Sequence, residues 1–118
     1  MSEWVIYHNP RCSKSRAALK YLQERGVQPR VVEYLKTPPD AATLRELLRR
    51  LGISARELLR TNEKEYRALG LDRPDLSEEE VIEAMVQHPI LIQRPIVLRG
   101  DRAVLGRPTE AIQRLFED

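Results

Sequence analysis

Residues 7–16 read Tyr-His-Asn-Pro-Arg-Cys-Ser-Lys-Ser-Arg and include Cys12, the only cysteine of the 118-residue chain. The apolar run from Trp4 to Tyr7 predicts a short buried strand, and the stretch from about Ser15 to Glu24 predicts a helix. Cys12 therefore falls at a strand-to-helix junction. The first backbone N–H groups of a helix are unpaired and carry the positive end of the helix dipole, so they favour a thiolate and attract oxyanions.

The charges that surround the cysteine are positive. No Asp or Glu occurs between Glu3 and Glu24, and the nearby cations are Arg11, Lys14, Arg16 and Lys20. This pattern favours a nucleophilic thiolate inside an anion-binding loop. The alternative is a buried structural cysteine, since a free thiol packs well as a small apolar group.

The composition predicts one folded domain. Hydrophobic residues make up 42% and charged residues 32% of the chain, which is typical of a globular protein and argues against disorder. The 20 basic residues nearly balance the 18 acidic ones, so the charge gives no reason to expect nucleic-acid binding. A single cysteine excludes an internal disulfide and a multi-cysteine zinc site, and it predicts a cytoplasmic protein without a bound metal. The first residues lack the basic region and the long apolar run of a signal peptide, so we expect none. No apolar run approaches the ~20 residues that span a bilayer, so we expect no membrane association.

The first half of the chain alternates between strand and helix patterns. Residues 31–35 predict a second strand after the first helix, which makes a βαβ unit with parallel strands. The middle of the chain is helical in pattern, and Asp40, Ser54 and Ser77 stand where N-caps are expected.

The last quarter of the chain predicts a hairpin and a helix. Apolar runs at residues 95–98 and 103–105 flank Gly100 and Asp101, a plausible two-residue turn. Pro108 then suits the first turn of a final helix.

This order of elements predicts an α/β protein with a thioredoxin-like four-stranded mixed sheet. We expect a single domain over residues 1–118, with a helical insertion at about 40–90 between the βαβ and ββα halves. Proteins of this fold place their reactive thiol at the first strand–helix junction, where Cys12 lies.

Four separated blocks resemble the family of glutaredoxin-dependent arsenate reductases (ArsC). Residues 8–16 match the family's His-Asn-Pro-x-Cys-x-x-Ser-Arg signature, and residues 58–60 match its Leu-Leu-Arg segment. Residues 88–97 match its His-Pro-Ile-Leu-Ile-x-Arg-Pro-Ile-Val block, and residues 106–108 supply its last Arg-Pro pair. The resemblance spans almost the whole chain. After the cysteine, however, this chain has Ser-Lys where the best-known members have Gly-Thr.

The resemblance implies that Cys12 attacks the arsenic atom of a bound arsenate. It also implies that three arginines hold the oxyanion, namely Arg60, Arg94 and Arg107. Guanidinium groups suit this role because they chelate tetrahedral oxyanions through paired N–H donors and never lose their charge.

The same signature implies roles for the neighbours of the cysteine. His8 is expected to activate the thiolate as a catalytic residue. The residues expected to organise the loop are Asn9, Ser15 and Arg16. The resemblance further implies glutathione as co-substrate and a glutaredoxin as partner, with no bound cofactor.

Two other functions stay open. One is a transcriptional regulator of the Spx type, which shares this fold but typically carries a Cys-x-x-Cys switch, whereas the second position here is Ser15. The other is a monothiol oxidoreductase that acts on glutathione mixed disulfides without arsenate chemistry. A tyrosine-phosphatase loop does not fit, because only three residues separate Cys12 from Arg16.

The thioredoxin-like topology also makes a prediction about one peptide bond. A proline begins the strand opposite the reactive cysteine in these folds, and its bond is cis. We therefore expect a cis Arg94–Pro95 bond, which X–Pro sequences allow at a cost of ~0.5–1 kcal/mol.

Overall fold

The computed structural model of the protein describes residues 3–117. The chain folds into two compact units. The first unit contains the segment up to Thr37 and the segment from Arg94 onward, and the second unit is Pro38–Gln93. The expectation that both belong to one domain stays a prediction.

The first unit is built on a four-stranded sheet with the order β2-β1-β3-β4. The strands are β1 (Trp4–His8), β2 (Arg30–Glu33), β3 (Ile96–Arg99) and β4 (Arg102–Leu105). Strands β1 and β2 are parallel, whereas β3 runs antiparallel to both β1 and β4. This arrangement confirms the predicted thioredoxin-like mixed sheet, with the βαβ half and the ββα half separated in sequence by helices.

Helix α1 (Ser13–Glu24) connects β1 to β2 and begins two residues earlier than expected. Cys12 itself is the N-cap residue, with extended backbone angles of φ −94° and ψ 123°. Helix α1 buries one face in the main hydrophobic core beside the sheet. The fully or nearly buried members of this core are Ile6, Ala18, Leu22, Val27, Val97, Ile112 and Leu115.

Strand β2 is shorter than expected. It ends at Glu33, because the backbone N–H groups of Lys36 and Thr37 both donate to the Glu33 carbonyl at 2.9 Å and turn the chain away. Tyr34, which we expected in the strand, is fully buried in this turn.

The C-terminal hairpin forms as predicted, and Gly100 adopts the left-handed conformation that its turn requires (φ 62°). The last helix also forms, at Thr109–Phe116, but it is a 310 helix. Its buried residues Ile112 and Leu115 are three apart, which suits the three-residue turn of a 310 helix.

The Arg94–Pro95 peptide bond is cis, which confirms the prediction. The Arg107–Pro108 bond is cis as well, which no sequence pattern predicted.

The second unit is helical. It contains α2 (Ala41–Leu51), α3 (Ala55–Leu58), α4 (Lys64–Ala68), α5 (Glu78–Gln87) and a 310 turn at Pro89–Leu91. No helix within residues 3–117 is both long and apolar enough to cross a membrane.

The N-caps in this unit were predicted correctly. The Asp40 carboxylate accepts from the Thr43 N–H at 2.8 Å. Ser54 and Ser77 each form a complete capping box with the glutamate three residues later. An isolated bridge then ties Leu59 to Ile92, and the Arg60 N–H donates to the Leu91 carbonyl at 2.8 Å.

Candidate active site

Cys12 sits in a loop that is closed by its own backbone. The Cys12 N–H donates to the Asn9 carbonyl at 3.0 Å, and the Arg16 N–H donates to the Cys12 carbonyl at 3.0 Å. The Asn9 side chain accepts from the Arg11 N–H, also at 3.0 Å. These bonds hold a cysteine that is only 8% exposed at the first turn of α1.

The environment of Cys12 favours the thiolate. Burial alone raises the pKa of the Cys12 thiol, but the Ser15 and Lys14 backbone N–H groups and the Arg94 guanidinium together bring this pKa below its ordinary value. Arg94 acts both through its charge and through a hydrogen bond to the sulfur. The helix N-terminus therefore stabilises the anion, as the sequence predicts. The cation that acts on the sulfur is Arg94, however, and not one of the sequence neighbours on which the prediction was based.

The lowered pKa predicts how the thiol reacts with alkylating agents. Only the thiolate reacts, so the rate of iodoacetamide labelling should reach half its maximum below pH ~8.5, the value of a free cysteine. Replacing Arg94 with Ala should move the midpoint to higher pH, because a cation that favours the anion is lost. A wild-type midpoint at or above that of free cysteine would contradict this description of the site.

His8 contacts the cysteine loop through Ser15. Its Nδ1 lies 2.7 Å from the Ser15 hydroxyl oxygen, which also accepts the Asn9 N–H at 3.0 Å. Burial, offset in part by Glu33 and reinforced by Arg16, holds the pKa of His8 below its ordinary value. His8 is therefore predominantly neutral at pH 7, and it touches the residue whose N–H faces the sulfur.

The other loop residues are placed where an organising role requires them. The Arg16 guanidinium donates to the Pro10 carbonyl at 2.9 Å and so braces the turn before the cysteine. Asn9 and Ser15 are both buried, at 9% and 0% exposure. Their roles in activity stay predictions.

Arg94 and Arg107 are brought together at the sheet. The Arg107 guanidinium donates to the Arg94 carbonyl at 3.4 Å. This approach depends on Gly106, whose N–H donates to the Pro95 carbonyl at 2.9 Å. A Cβ at Gly106 would lie only 2.9 Å from Pro95 Cγ, so no larger residue fits there without displacement. Arg107 is exposed, and Arg94 is half-buried.

Arg60 belongs to the helical unit. Its guanidinium pairs with the Glu63 carboxylate at 2.7 Å and donates to the Ile90 carbonyl at 3.3 Å. The residue is 9% exposed. The convergence of Arg60 on Cys12 stays a prediction.

Sequence reasoning missed Glu33 as a neighbour of His8. The two residues are direct partners in the parallel pairing of β1 and β2, and the Glu33 carboxylate raises the pKa of His8. The register of the two predicted strands was the available signal. Within residues 3–117, no group of three or more His, Cys, Asp or Glu side chains is arranged to hold a metal ion.

One family model covers all the predicted site residues and nearly all of the fold. The model of the ArsC family matches residues 7–115. The chain belongs to the ArsC family. The matched range contains Cys12 and all three predicted oxyanion arginines.

Several relatives cover more than nine-tenths of this ArsC-family chain. An arsenate reductase of Neisseria meningitidis serogroup A is 49% identical over 117 residues, which are 98% of this chain and 100% of the relative. The Escherichia coli K12 protein YfgD, described as uncharacterized, is 57% identical over 108 residues, 91% of each chain. The solved structure of an arsenate reductase from Vibrio cholerae is 41% identical and superposes with a TM-score of 0.93, covering 96% of this chain and 97% of the other.

Proposed function

We propose that this protein reduces arsenate to arsenite, with Cys12 as the nucleophile. The observation that carries the proposal is the lone thiol at the N-terminus of α1, whose pKa is lowered by backbone N–H groups and by Arg94. Relatives with 49% and 42% identity over nearly the whole chain are named arsenate reductase, which supports the same substrate.

Arsenate is a tetrahedral anion, and its charge has to be neutralised in a partly desolvated site. Arg94 already donates to the sulfur position, so its guanidinium is close to the point where the arsenic atom would bind. Arg107, which hydrogen-bonds the backbone of Arg94, and Arg60 complete the proposed set. Donors fixed before the substrate arrives stabilise the transition state without reorganising.

The chain cannot supply all the electrons. Reduction of As(V) to As(III) takes two electrons, and Cys12 has no second cysteine with which to form a disulfide. In the proposed sequence, the Cys12 thiolate forms an S–As bond and one arsenate oxygen leaves as water. Glutathione then joins the arsenic with loss of a second water. The glutaredoxin thiol takes the glutathione sulfur as a disulfide, and the electron pair of the broken S–As bond stays on arsenic. Water finally releases arsenite and restores Cys12.

His8 acts on this reaction through the loop. Its hydrogen bond to the Ser15 hydroxyl holds Ser15 in place. The neutral His8 ring therefore keeps the Ser15 backbone N–H pointing at the Cys12 sulfur. Asn9 and Arg16 hold the preceding turn. Because glutathione and glutaredoxin are cytoplasmic reductants, the proposed reaction belongs to the cytoplasm.

A coupled assay tests the function and its electron donors. With glutathione, glutaredoxin, glutathione reductase and NADPH, addition of arsenate should start NADPH oxidation that depends on the protein. Omitting glutaredoxin should reduce the rate strongly, because the last thiol transfer is lost. Efficient turnover with thioredoxin alone, and none with glutaredoxin, would contradict the proposed donors. No turnover with any thiol system would contradict arsenate as the substrate.

A further inference from the structure

Four cations lie close to Cys12 in the sequence, and only Arg16 among them has a side-chain contact in the site described above, its bond to the Pro10 carbonyl. The groups that lower the pKa of Cys12 most are two backbone N–H groups and Arg94. The basic side chains that lie close to the cysteine in the sequence are not among these groups, and all of them are exposed to solvent. We call this set the basic patch, and its members are Arg11, Lys14, Arg16 and Lys20.

Within residues 3–117, no carboxylate forms an ion pair with the basic patch. Among the described residues, ion pairs join other cations to carboxylates, as for Lys36 with Glu33 and Arg45 with Glu79. None of these pairs involves a member of the basic patch. Arg16 and Lys20 are moreover four residues apart on α1, a spacing at which like charges repel and destabilise a helix. Among the described residues, the patch therefore offers a partner positive charge that no carboxylate pairs with.

The shape of the surface suits a protein partner. Ser13 and Ala17 are small, exposed, and four residues apart, so they lie side by side on the outer face of α1. Lys14 and Lys20 flank them on the same exposed arc. Because Cys12 is only 8% exposed, a partner's thiol reaches the sulfur only if the partner seats closely on this first part of the helix.

We propose that the basic patch is the docking surface for the protein reductant, a thiol protein with acidic side chains around its own reactive cysteine. This inference rests on the proposed function. Opposite charges on the two surfaces would raise the association rate by steering the partner's thiol toward Cys12. They would also select acidic reductants over basic ones of the same fold.

The rate at which glutaredoxin removes glutathione from Cys12 reports on docking, and this reaction needs no arsenate. Cys12 is first converted to its mixed disulfide with glutathione. Reduced glutaredoxin then attacks the glutathione sulfur, so that glutaredoxin leaves glutathionylated and Cys12 leaves as the thiolate. The second-order rate constant of this exchange is followed by quenching and intact-mass analysis. A neutral small dithiol serves as the second reductant, and each variant is scored by the ratio of the two rate constants.

Lys20→Glu is the informative variant, and Arg30→Glu is its matched control. Both reverse one exposed charge in the same unit, but Arg30 pairs with Val5 at the opposite end of β1 from Cys12. At an ionic strength of about 0.02 M we expect Lys20→Glu to lower the ratio at least ~5-fold and Arg30→Glu to change it less than ~2-fold. At about 0.5 M salt the effect of Lys20→Glu should fall below ~2-fold, because the charges are screened. Lys14→Glu, combined with Lys20→Glu, should enlarge the loss at low salt.

Two results would overturn the proposal. One is an equal effect of the Lys20 and Arg30 variants, which would show that only net charge matters. The other is a loss that salt leaves unchanged, which would mean that the substitution disturbs the thiol and not the docking. If the exchange behaves as expected but arsenate is not reduced, the docking surface stands and the proposed substrate fails.

Discussion

Cys12→Ser is expected to lower the rate of arsenate reduction by at least ~10³-fold, because the nucleophile of the proposed reaction is lost. A serine hydroxyl is almost fully protonated at pH 7. The backbone N–H groups that stabilise the thiolate are not enough to ionise it. The measurement is NADPH oxidation with glutathione and glutaredoxin at saturating arsenate. Intact-mass analysis should show a single glutathione adduct in the wild type and none in the variant.

The neighbouring exposed residue provides the control for this experiment. Ser13→Ala changes the first residue of α1 and should keep nearly the wild-type rate. The Cys12→Ser protein should unfold at a temperature close to that of the wild type, since the two side chains differ little in size. Appreciable turnover by the folded serine variant would refute Cys12 as the nucleophile.

Arg94→Lys is expected to lower kcat/KM for arsenate at least ~10-fold, equivalent to ~1.4 kcal/mol of transition-state stabilisation. Lysine keeps the charge but replaces the planar fork with a single ammonium group, so it cannot hold the sulfur and the oxyanion at the same time. Arg107→Lys should cause a loss of similar size. The measurement is steady-state kinetics with arsenate as the varied substrate.

The control is Arg30→Lys, the same substitution at an exposed position whose guanidinium lies 3.8 Å from the Glu3 carboxylate. It should leave kcat/KM within ~2-fold, as surface pairs of this kind contribute little. Wild-type kinetics in the Arg94→Lys variant would show that Arg94 does not bind the oxyanion. If Arg60→Ala alone behaves like the wild type, the site uses two arginines.

Local signals predicted the helix starts well. Asp40, Ser54 and Ser77 each sit before an amphipathic run, and the hydrogen bonds that cap a helix involve residues only three positions away. The hairpin at Gly100 is local in the same sense. In these segments both hydrogen-bonding partners lie within a few residues of each other, so a short stretch of sequence is enough to predict the structure.

Elements whose limits depend on packing were predicted less well. Cys12 has no polar cap of its own, and the polar Ser13 and Lys14 read as loop, so the true start of α1 was missed. The end of β2 was misplaced because Tyr34 has a strand-like side chain that is buried in a turn. The C-terminal helix was placed correctly, but its 310 form follows from how Ile112 and Leu115 meet the core.

The candidate site likewise has features that follow from local sequence and features that depend on tertiary packing. The position of Cys12 at a helix N-terminus follows from the strand and helix patterns that flank it. Its contact with Arg94 does not, because the two residues are far apart in the sequence and meet only when β1 and β3 pair. The bond between His8 and Ser15 likewise depends on how the loop folds back, which no spacing rule specifies.

The two edges of the sheet bear on how the protein behaves at high concentration. An open strand edge is a template on which other chains can add and aggregate. Here both edge strands, β2 and β4, are only four residues long, and charged residues occur at their ends: Arg30 and Glu33 in one, Arg102 in the other. The side chain of Arg102 also donates to the Glu117 carbonyl at 2.7 Å, which draws the end of the chain alongside β4. Because both edge strands are short and carry charges, we expect the fold to resist amyloid-like growth, although its central strands β1 and β3 are mostly apolar.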